Sequence, residues 1–377
     1  MEYFRLDEIC NLNMGQSPKS DSYNQVGVGI PFFQGNADFG EIYPTVRVWC
    51  TEPIKVVEGG TLLISVRAPI GALNFVKTRS CIGRGIAGIT AKNGYELKYI
   101  YYALRYKNKE LNNKGTGSTF KAISKAMLGE VLIRDIPIER QIECLKELDL
   151  VQRIIFERKQ QLQALDTLIK SRFVEMFGDP VRNSKGWVKK PFLDMGNCKN
   201  GMNFHYEDTG IEINCLSVGD FKDLTSIDNV EKLPKVSLDR MPPEEYLLKD
   251  GDIVFVRSNG NKALVGRSVT VYPGDVPTTF SGFCIRYRKT EKAISVPYLL
   301  RVLKTDSMRQ KMVGRGANIQ NLNQQILGTL EIPVPPIELQ NQFAAFAQQT
   351  DKLKVAVQKS IDELQLLFDS LMQKYFD

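Results

Sequence analysis

The run Gly83-Arg84-Gly85-Ile86-Ala87-Gly88 satisfies the spacing G-x-G-x-x-G, which in a dinucleotide site lets the backbone approach a pyrophosphate at a helix N-terminus. That chemistry needs a helix opening at the glycines. Here GIAGITA continues as a strand-like run and reaches Asn93-Gly94 within a few residues, so no long helix opens. Glu96-Leu97-Lys98 has the acid-x-lysine spacing of a magnesium-dependent nuclease, yet Thr61 to Tyr95 offer no further carboxylate to complete a metal site. An adenine methyltransferase would hold a flipped base with Asn or Asp, two prolines and an aromatic residue. The Pro-Pro pairs here stand in MPPEE and VPPIE and lack both flanks. No Walker lysine loop, HExxH or GxSxG occurs. His205 is the single histidine, so neither a two-histidine metal site nor an imidazole relay can form. The cysteines (Cys10, Cys50, Cys81, Cys144, Cys198, Cys215, Cys284) are odd in number and scattered without a CxxC pair. They read as free, mostly buried thiols rather than a disulfide framework or a zinc site. The chain reads as one built to bind, not to react, with no catalytic residue, no cofactor and no metal.

The element that positions everything else is the stretch from Ile138 to Gly178, uninterrupted by Pro or Gly until its last residue. Leu148, Val151, Ile155, Leu162, Leu165 and Ile169 step by three and four, with Arg158 as a polar place-holder, and predict one long helix with a narrow apolar seam. At ~1.5 Å per residue it makes a rod of roughly 60 Å, which asks for a partner helix. The partner is in the same chain. At a shift of 199 residues Ile138 meets Ile337, Gln141 meets Gln340, Leu162 meets Ile361, Leu165 meets Leu364, Ser171 meets Ser370 and Phe177 meets Phe376. The shift holds back through Gly129/Gly328, Ile123/Leu322 and Gly117/Gly316, so the chain is one unit written twice, a globular block and then a long helix. Phe156, Phe173 and Phe177, with Phe346, Phe368 and Tyr375, would in the plain reading close the helix pair against the blocks; both that use and docking of a partner are expected, because the apolar strip is wider than a two-helix seam needs.

The first block opens with an expected short helix, Leu6 to Asn11, and then a polar loop, MGQSPKSDSYN. IPFFQG, TEPIKVV, TLLISVRAPIG, ALNFVK and GIAGITA read as short strands, and Tyr95 to Lys109 as a helix. KGTGSTFKAISKAML is a basic turn running into a last short helix. DPVRNSKG joins the repeats. The second block echoes the first: LDMGNCKNG answers LDEICNLNMG, Gly251 answers Gly60, and Arg257 answers Arg67.

Apolar content of 43% and charged content of 25% are ordinary for a globular protein, and no run of 18 apolar residues marks a membrane span. The N-terminus lacks a basic-then-apolar signal pattern, so a cytoplasmic protein is expected. The net charge of +7 is mildly basic but unevenly spread. Arg67, Lys77, Arg79, Arg84 and Lys92 fall in Thr61–Tyr95 with no acid. Arg257, Lys262, Arg267, Arg286, Arg288 and Lys289 fall in Ile253–Thr290 against Asp275 alone, and Tyr101–Leu128 has six basic residues against Glu110. Such clusters among Ser, Asn, Gln and Gly suit a phosphate-tracking surface; the alternative is a solvated strand-and-loop face.

Two unlike blocks alternating with two equivalent long helices, FGDPVRNSKGW at the joint and GQSPKS near the start together resemble the specificity subunit of type I restriction–modification enzymes, across the whole chain. The resemblance implies an α+β fold: two globular α/β target recognition domains alternate with two long helices, which pair as an antiparallel coiled coil in a pseudo-two-fold internal repeat. The expected domains are 1–135 and 179–335 for recognition, with helices 136–178 and 336–377. Each recognition domain would read one half of a split site in double-stranded DNA. The helices would set the spacer and dock two modification (methyltransferase) subunits, which supply the S-adenosylmethionine chemistry. A separate ATP-driven restriction subunit would translocate and cut. Two competing readings, a self-contained methyltransferase or nuclease and a protein-binding coiled-coil scaffold, would need motifs or partners that this sequence does not display.

For DNA contact the polar loops are the candidates: Gln16, Ser17 and Lys19; Gln34 and Asn36; Arg67; and Lys114, Ser118 and Lys121 in the first block. In the second they are Arg257, Ser258, Asn259, Asn261 and Lys262, with Arg315, Asn318 and Gln320. Arg suits guanine, Asn and Gln suit adenine, and Lys positions phosphates. The alternative for each is a surface loop position with no base contact.

Overall fold

The computed structural model describes residues 2–92, 94–115, 121–204, 210–221, 225–313 and 321–377, apart from the side chain of Lys262. They form two units, Met1–Gln160 with Val357–Asp377, and Gln161–Ala356, so each long helix contributes one part to each unit. The helices run from Ile138 to Phe177 and from Ile337 to Phe376, and their bounds differ by the 199 residues of the repeat. The same shift relates the short helices Lys125–Gly129 and Gln324–Gly328 and the strands Leu132–Arg134 and Glu331–Pro333. It also relates the caps: Ser124 Oγ accepts from Met127 N at 3.2 Å and Asn323 Oδ1 from Ile326 N at 2.8 Å.

In the first unit a four-stranded antiparallel sheet has the order Cys10–Met14, Ile86–Ala91, Leu62–Ser65, Leu73–Phe75. LLIS is buried throughout: Leu63 packs with Phe33, Val57 and Ile82 of a five-stranded sheet, and helix Leu97–Tyr106 lies against the neighbouring strand Ile86–Ala91. That second sheet joins Ile30–Phe33 to Ser80–Ile82 in parallel. The second unit repeats the plan with Gly196–Asn200, Cys284–Lys289, Asp252–Val256, Ser268–Val271 and Ser226–Ile227. Its second sheet has three strands, Lys235–Leu238, Ile211–Leu216 and Thr278–Phe280.

The long helices are held where their seams meet each unit. In the second unit Lys354 Nζ pairs with Asp166 at 2.7 Å while the rings of Phe173 and Phe343 lie 5.4 Å apart, so the two helices run antiparallel. Phe173, Phe177, Tyr298 and Phe343 close a ring cluster there, with the buried Tyr298 hydroxyl donating to Pro333 O. In the first unit Tyr102 and Phe368 face each other at 6.1 Å, and the Tyr375 hydroxyl donates to Glu147 at 2.6 Å. Leu148, Val151, Ile155 and Ile169 are buried on the predicted seam. Phe156 is 43% exposed and does not close the pair, unlike Phe173, Phe177 and Phe368.

Three expectations change. The opening helix ends at Ile9, and Cys10–Met14 is a strand, because Cys10 and Leu12 alternate inward and pair antiparallel with Ile86–Ala91. Leu6 corresponds to Phe192 rather than Leu193, since Leu6 N donates to Val131 O and Phe192 N to Leu330 O, acceptors 199 apart. Arg257 corresponds to Val66 rather than Arg67. Val66 N donates to Gly85 O and accepts from Ile123 N, while Arg257 N donates to Phe283 O and accepts from Leu322 N. A slip of one residue on a strand turns the side chain to the other face, so Arg67 has Ser258 as its counterpart. All seven cysteines are free, six of them buried. Among the described residues no helix is long and apolar enough to cross a membrane.

Candidate nucleic-acid interface

In the first unit four chain segments converge at one end of the sheets: the loop after Met14, the end of Ile30–Phe33, the end of Leu62–Ser65 and the turn Gly83–Gly85. Backbone hydrogen bonds lock them together, from Gly15 N to Ile86 O, Gln16 N to Ile82 O, Gly83 N to Phe33 O and Val66 N to Gly85 O. The glycine run that mimics a nucleotide motif is explained by this junction. A Cβ at Gly85 would run into the Gln34 carbonyl, one at Gly83 would press Phe32 and Gln34, and one at Gly88 would meet Val57. These glycines let strands approach one another, and the chain continues from them as strand Ile86–Ala91.

The junction encloses a polar pocket of about 230 Å³ lined by Ser17, Gln34, Asn36, Arg67 and Arg84. Four of these five are predicted site residues drawn from three separate loops. Ser17 Oγ accepts from Arg84 N at 3.3 Å, and Asp38 accepts from Gln34 N at 2.8 Å, which fixes the loop carrying Gln34 and Asn36. Among the described residues the side chains of Gln34, Asn36, Arg67 and Arg84 make no hydrogen bond or ion pair. Donors and acceptors held on a fixed frame with unfilled valences are what base-edge and phosphate contact requires. Arg84 was visible only as one charge in a basic run; its place in the GRG turn was the signal for choosing it.

The remaining first-block candidates divide. Gln16 and Lys19 are exposed on the loop beside Ser17. Lys121 is exposed and its carbonyl accepts from Ala68 N, next to Arg67. Lys114 instead pairs with Glu110 at 2.7 Å on its own helix. Ser118 lies outside the described residues, as do Arg315, Asn318 and Gln320 of the second block.

The second unit builds the same junction with other residues. The turn Ser281-Gly282-Phe283 stands where Gly83-Arg84-Gly85 stands, since Ser281 N donates to Leu216 O and Arg257 N to Phe283 O. Arg257 is half-buried, with Nη1 3.3 Å from Gly282 O. Ser258 is bridged to Asn321, as Arg67 is to Ala122. The loop from Ser258 to Gly266 is longer than its counterpart from Arg67 to Gly71, and its asparagines fold it. Asn259 Oδ1 accepts from Asn261 N at 2.8 Å and Asn261 Oδ1 from Ala263 N at 3.0 Å. Their oxygens are therefore spent on the loop. Phe283, 60% exposed at this junction, was not singled out from the sequence.

Most cations of the basic clusters are engaged within the fold. Lys77 lies over the Tyr43 ring, Arg79 pairs with Glu58, and Lys92 donates to the carbonyls of Asp7 and Glu8, which leaves Arg67 and Arg84 at the junction. In the second unit Arg286 is 3% exposed and bound to Asn197, and burial lowers its pKa. Arg288 grips the buried Asp252 with Nε at 2.8 Å and Nη2 at 2.7 Å. Neither is part of a phosphate-tracking surface.

Comparison with known proteins agrees with this geometry. The family described as type I restriction modification DNA specificity domain matches residues 1–167 and 234–365. The MjaX specificity subunit of Methanocaldococcus jannaschii is 42% identical over 159 residues, 42% of this chain and 37% of that protein. The StySPI specificity subunit of Salmonella potsdam is 24% identical over 296 residues, 72% of this chain and 62% of that one. The matches thus span less than two thirds of either relative. The crystal structure of a type I restriction-modification S subunit from M. genitalium shares the fold, with a TM-score of 0.59 at 15% identity, over 100% of this chain and 96% of that one.

Proposed function

The chain belongs to the type I restriction modification DNA specificity family, and from that membership we propose that it is the non-catalytic DNA-recognition subunit of a restriction–modification complex. Each globular block, 1–135 and 179–335, reads one half of a bipartite site in double-stranded DNA. The observation that carries this reading is the pocket of Ser17, Gln34, Asn36, Arg67 and Arg84, gathered by the fold, in which the side chains of Gln34, Asn36, Arg67 and Arg84 are left unpaired among the described residues. The second unit offers Arg257, Ser258 and Phe283 at the equivalent junction, so the two blocks present different chemistry on one plan. Arg pairs bidentately with guanine and Asn or Gln with adenine, and an exposed aromatic ring can pack on a thymine methyl or a base face.

The long helices, 136–178 and 336–377, set the distance between half-sites and dock two modification subunits. Exposed apolar side chains off the buried seam support docking: Leu150 and Phe156 on the first helix within the first unit, and Leu353 and Val355 on the second helix within the second unit. Methyl transfer and cleavage belong to partner modification and restriction subunits, a division supported by relatives that are themselves named specificity subunits.

The deciding experiment is a methylome by single-molecule sequencing, with the chain co-expressed beside a cognate modification subunit and omitted in a control. Methylated adenines in a split motif that depend on this chain are expected. Methylation that is identical without the chain would overturn the reading.

A further inference from the structure

The turn Ser281-Gly282-Phe283 places an aromatic ring where the first unit has no side chain. Ser281 N donates to Leu216 O as Gly83 N does to Phe33 O, and Met202 N to Phe280 O as Gln16 N does to Ile82 O. Arg257 N donates to Phe283 O as Val66 N does to Gly85 O. Gly85 therefore corresponds to Phe283, Arg84 to Gly282 and Arg67 to Ser258. Gly85 is buried in the wall of the polar pocket, where a Cβ would run into the Gln34 carbonyl. Phe283 is 60% exposed, more than any other aromatic side chain among the described residues.

The frame under this ring is fixed. Phe283 O accepts from Arg257 N at 2.8 Å and from Ser258 N at 3.3 Å, and Phe283 N donates to Ser281 Oγ at 3.3 Å. Gly282 N donates to Met202 O at 2.7 Å, and Gly282 O accepts from Arg257 Nη1 at 3.3 Å. The next residue, Cys284, is buried and opens strand Cys284–Lys289. A ring held out into water by a pinned turn adds little to the core. The polar lining is reduced at the same place. The guanidinium groups of Arg67 and Arg84 give way to Ser258 and Gly282. Gln34, whose side chain is unpaired among the described residues, corresponds to Ser217, and the Ser217 hydroxyl donates to Asp220 at 2.9 Å. One position of the shared plan has thus exchanged charge and hydrogen bonding for apolar surface.

We propose, on the recognition role given above, that the two blocks read their half-sites through opposite chemistry and that Phe283 sets specificity in the second by packing against the 5-methyl group of a thymine. In the major groove every base pair shows donors and acceptors, and thymine alone adds a methyl group. An apolar ring gains contact from that methyl. Against the other bases it would cover polar edge atoms without supplying a partner for them. Insertion between base pairs is the other use of an exposed ring, and a wedge needs both ring faces free to part the stack. Phe283 is instead carried on a turn whose carbonyl and N–H are tied back to the sheet end, which suits contact with a base edge in the groove.

The test uses the full chain assembled with its cognate modification subunit and a fluorescent duplex carrying the split site. Thymines are replaced one at a time by deoxyuridine, which lacks only the methyl group, and binding is read by anisotropy at about 0.15 M salt. One such replacement, confined to one half-site, is expected to weaken the parent complex about fourfold and to cost Phe283→Ala nothing further. On the unmodified duplex Phe283→Ala should bind about fourfold to tenfold more weakly with an unchanged melting curve, and Phe283→Leu should fall between it and the parent. Parent binding that no replacement weakens would overturn the proposal while leaving recognition of the split site intact. So would a uracil effect that persists in Phe283→Ala, or a Phe283→Ala loss that is the same on thymine and uracil duplexes, the mark of a wedge. A parent complex that binds no split site would instead overturn the recognition role, and this contact with it.

Discussion

Gln141 and Gln340 make the same three hydrogen bonds in the two units, each from a fully buried side chain one turn inside a long helix. Gln141 Oε1 accepts from Glu96 N at 2.9 Å while its Nε2 donates to Ile136 O at 2.9 Å and Gly94 O at 3.3 Å. Gln340 Oε1 accepts from Ser295 N at 2.8 Å while its Nε2 donates to Pro335 O at 2.8 Å and Ala293 O at 2.9 Å. Every partner is displaced by the repeat shift. One amide thereby ties the start of the long helix to the start of the helix that covers the sheet and to the chain entering from the last strand. Replacing either glutamine by Ala strands buried backbone groups, at about 1–3 kcal/mol each. Gln340→Ala should cost more than Gln141→Ala because its bonds are shorter. Urea unfolding of the two variants measures this, and a loss under ~0.5 kcal/mol in both would contradict it.

Arg67 and Arg84 are the basic residues of the first unit's strand segment that remain available at the loop junction. Arg67→Ala and Arg84→Ala should each weaken binding of the assembled complex to its cognate duplex by about 1–3 kcal/mol. Arg79→Ala, which removes only an exposed pair with Glu58, should stay within ~0.5 kcal/mol of the parent. Fluorescence anisotropy at fixed salt separates the two groups; equal losses in all three would reduce the junction to general electrostatics.

The repeat was legible because helical periodicity and the 199-residue shift survive wherever helices or their caps set the spacing, from Gly94/Ala293 onward. Ahead of that point loop insertions change the shift, so sequence alone aligns Arg67 with Arg257, whereas the backbone pairs Arg67 with Ser258. The pocket was legible in its residue types, since Ser17, Gln34, Asn36 and Arg67 all lie in turn-rich loops. That they converge depends on strand pairing, which local sequence does not state. Charge availability was the least legible. Arg288 looked unopposed because its carboxylate, Asp252, lies one residue before the basic segment and reaches it only across paired strands.

That Asp252–Arg288 pair makes a prediction of its own. Asp252 is buried, accepts both guanidinium bonds and also accepts from Lys249 N at 2.8 Å. Asp252→Ala would take from Arg288, beside buried Arg286, the carboxylate it grips and leave it Glu244, itself paired with Lys249, a loss of about 3–5 kcal/mol. Arg288→Met in that background should recover part of it. A double-mutant cycle by chemical denaturation gives the coupling, and simple additivity would show that the pair is not coupled.

Lys304, at the end of helix Val296–Lys304, makes the stability of the second unit depend on pH. Its folded pKa of about 8 lies below the ordinary lysine value, chiefly through burial and then through Arg301 and Lys354. Below pH 8 both folded and unfolded chains carry the proton, and the folded chain bears the cost of holding the charge. Between pH 8 and the ordinary value the unfolded chain binds more protons, so this group's contribution to stability rises with pH. Lys304→Met should therefore be more stable than the parent at pH 7, by on the order of 1–3 kcal/mol, and lose that advantage towards pH 10. The difference between the two melting profiles cancels the other titrating groups. A difference that is flat in pH would place the Lys304 charge in full solvent.

The spacing role of the helices is testable without touching any recognition loop. Removing one heptad from each, Leu162–Leu168 and Ile361–Leu367, keeps the apolar seam in phase because both deletions span two turns at a 3.5-residue repeat. Seven residues correspond to about 10 Å of helix, or up to about three base pairs of DNA at ~3.4 Å rise. The methylome of the shortened chain should show both half-site sequences unchanged and a spacer reduced by up to that amount. The residues around Gln141, Gln340 and both loop junctions are untouched, so a folded variant with altered half-sites would break the assignment of recognition to the blocks. A folded variant with the original spacer would break the assignment of distance to the helices.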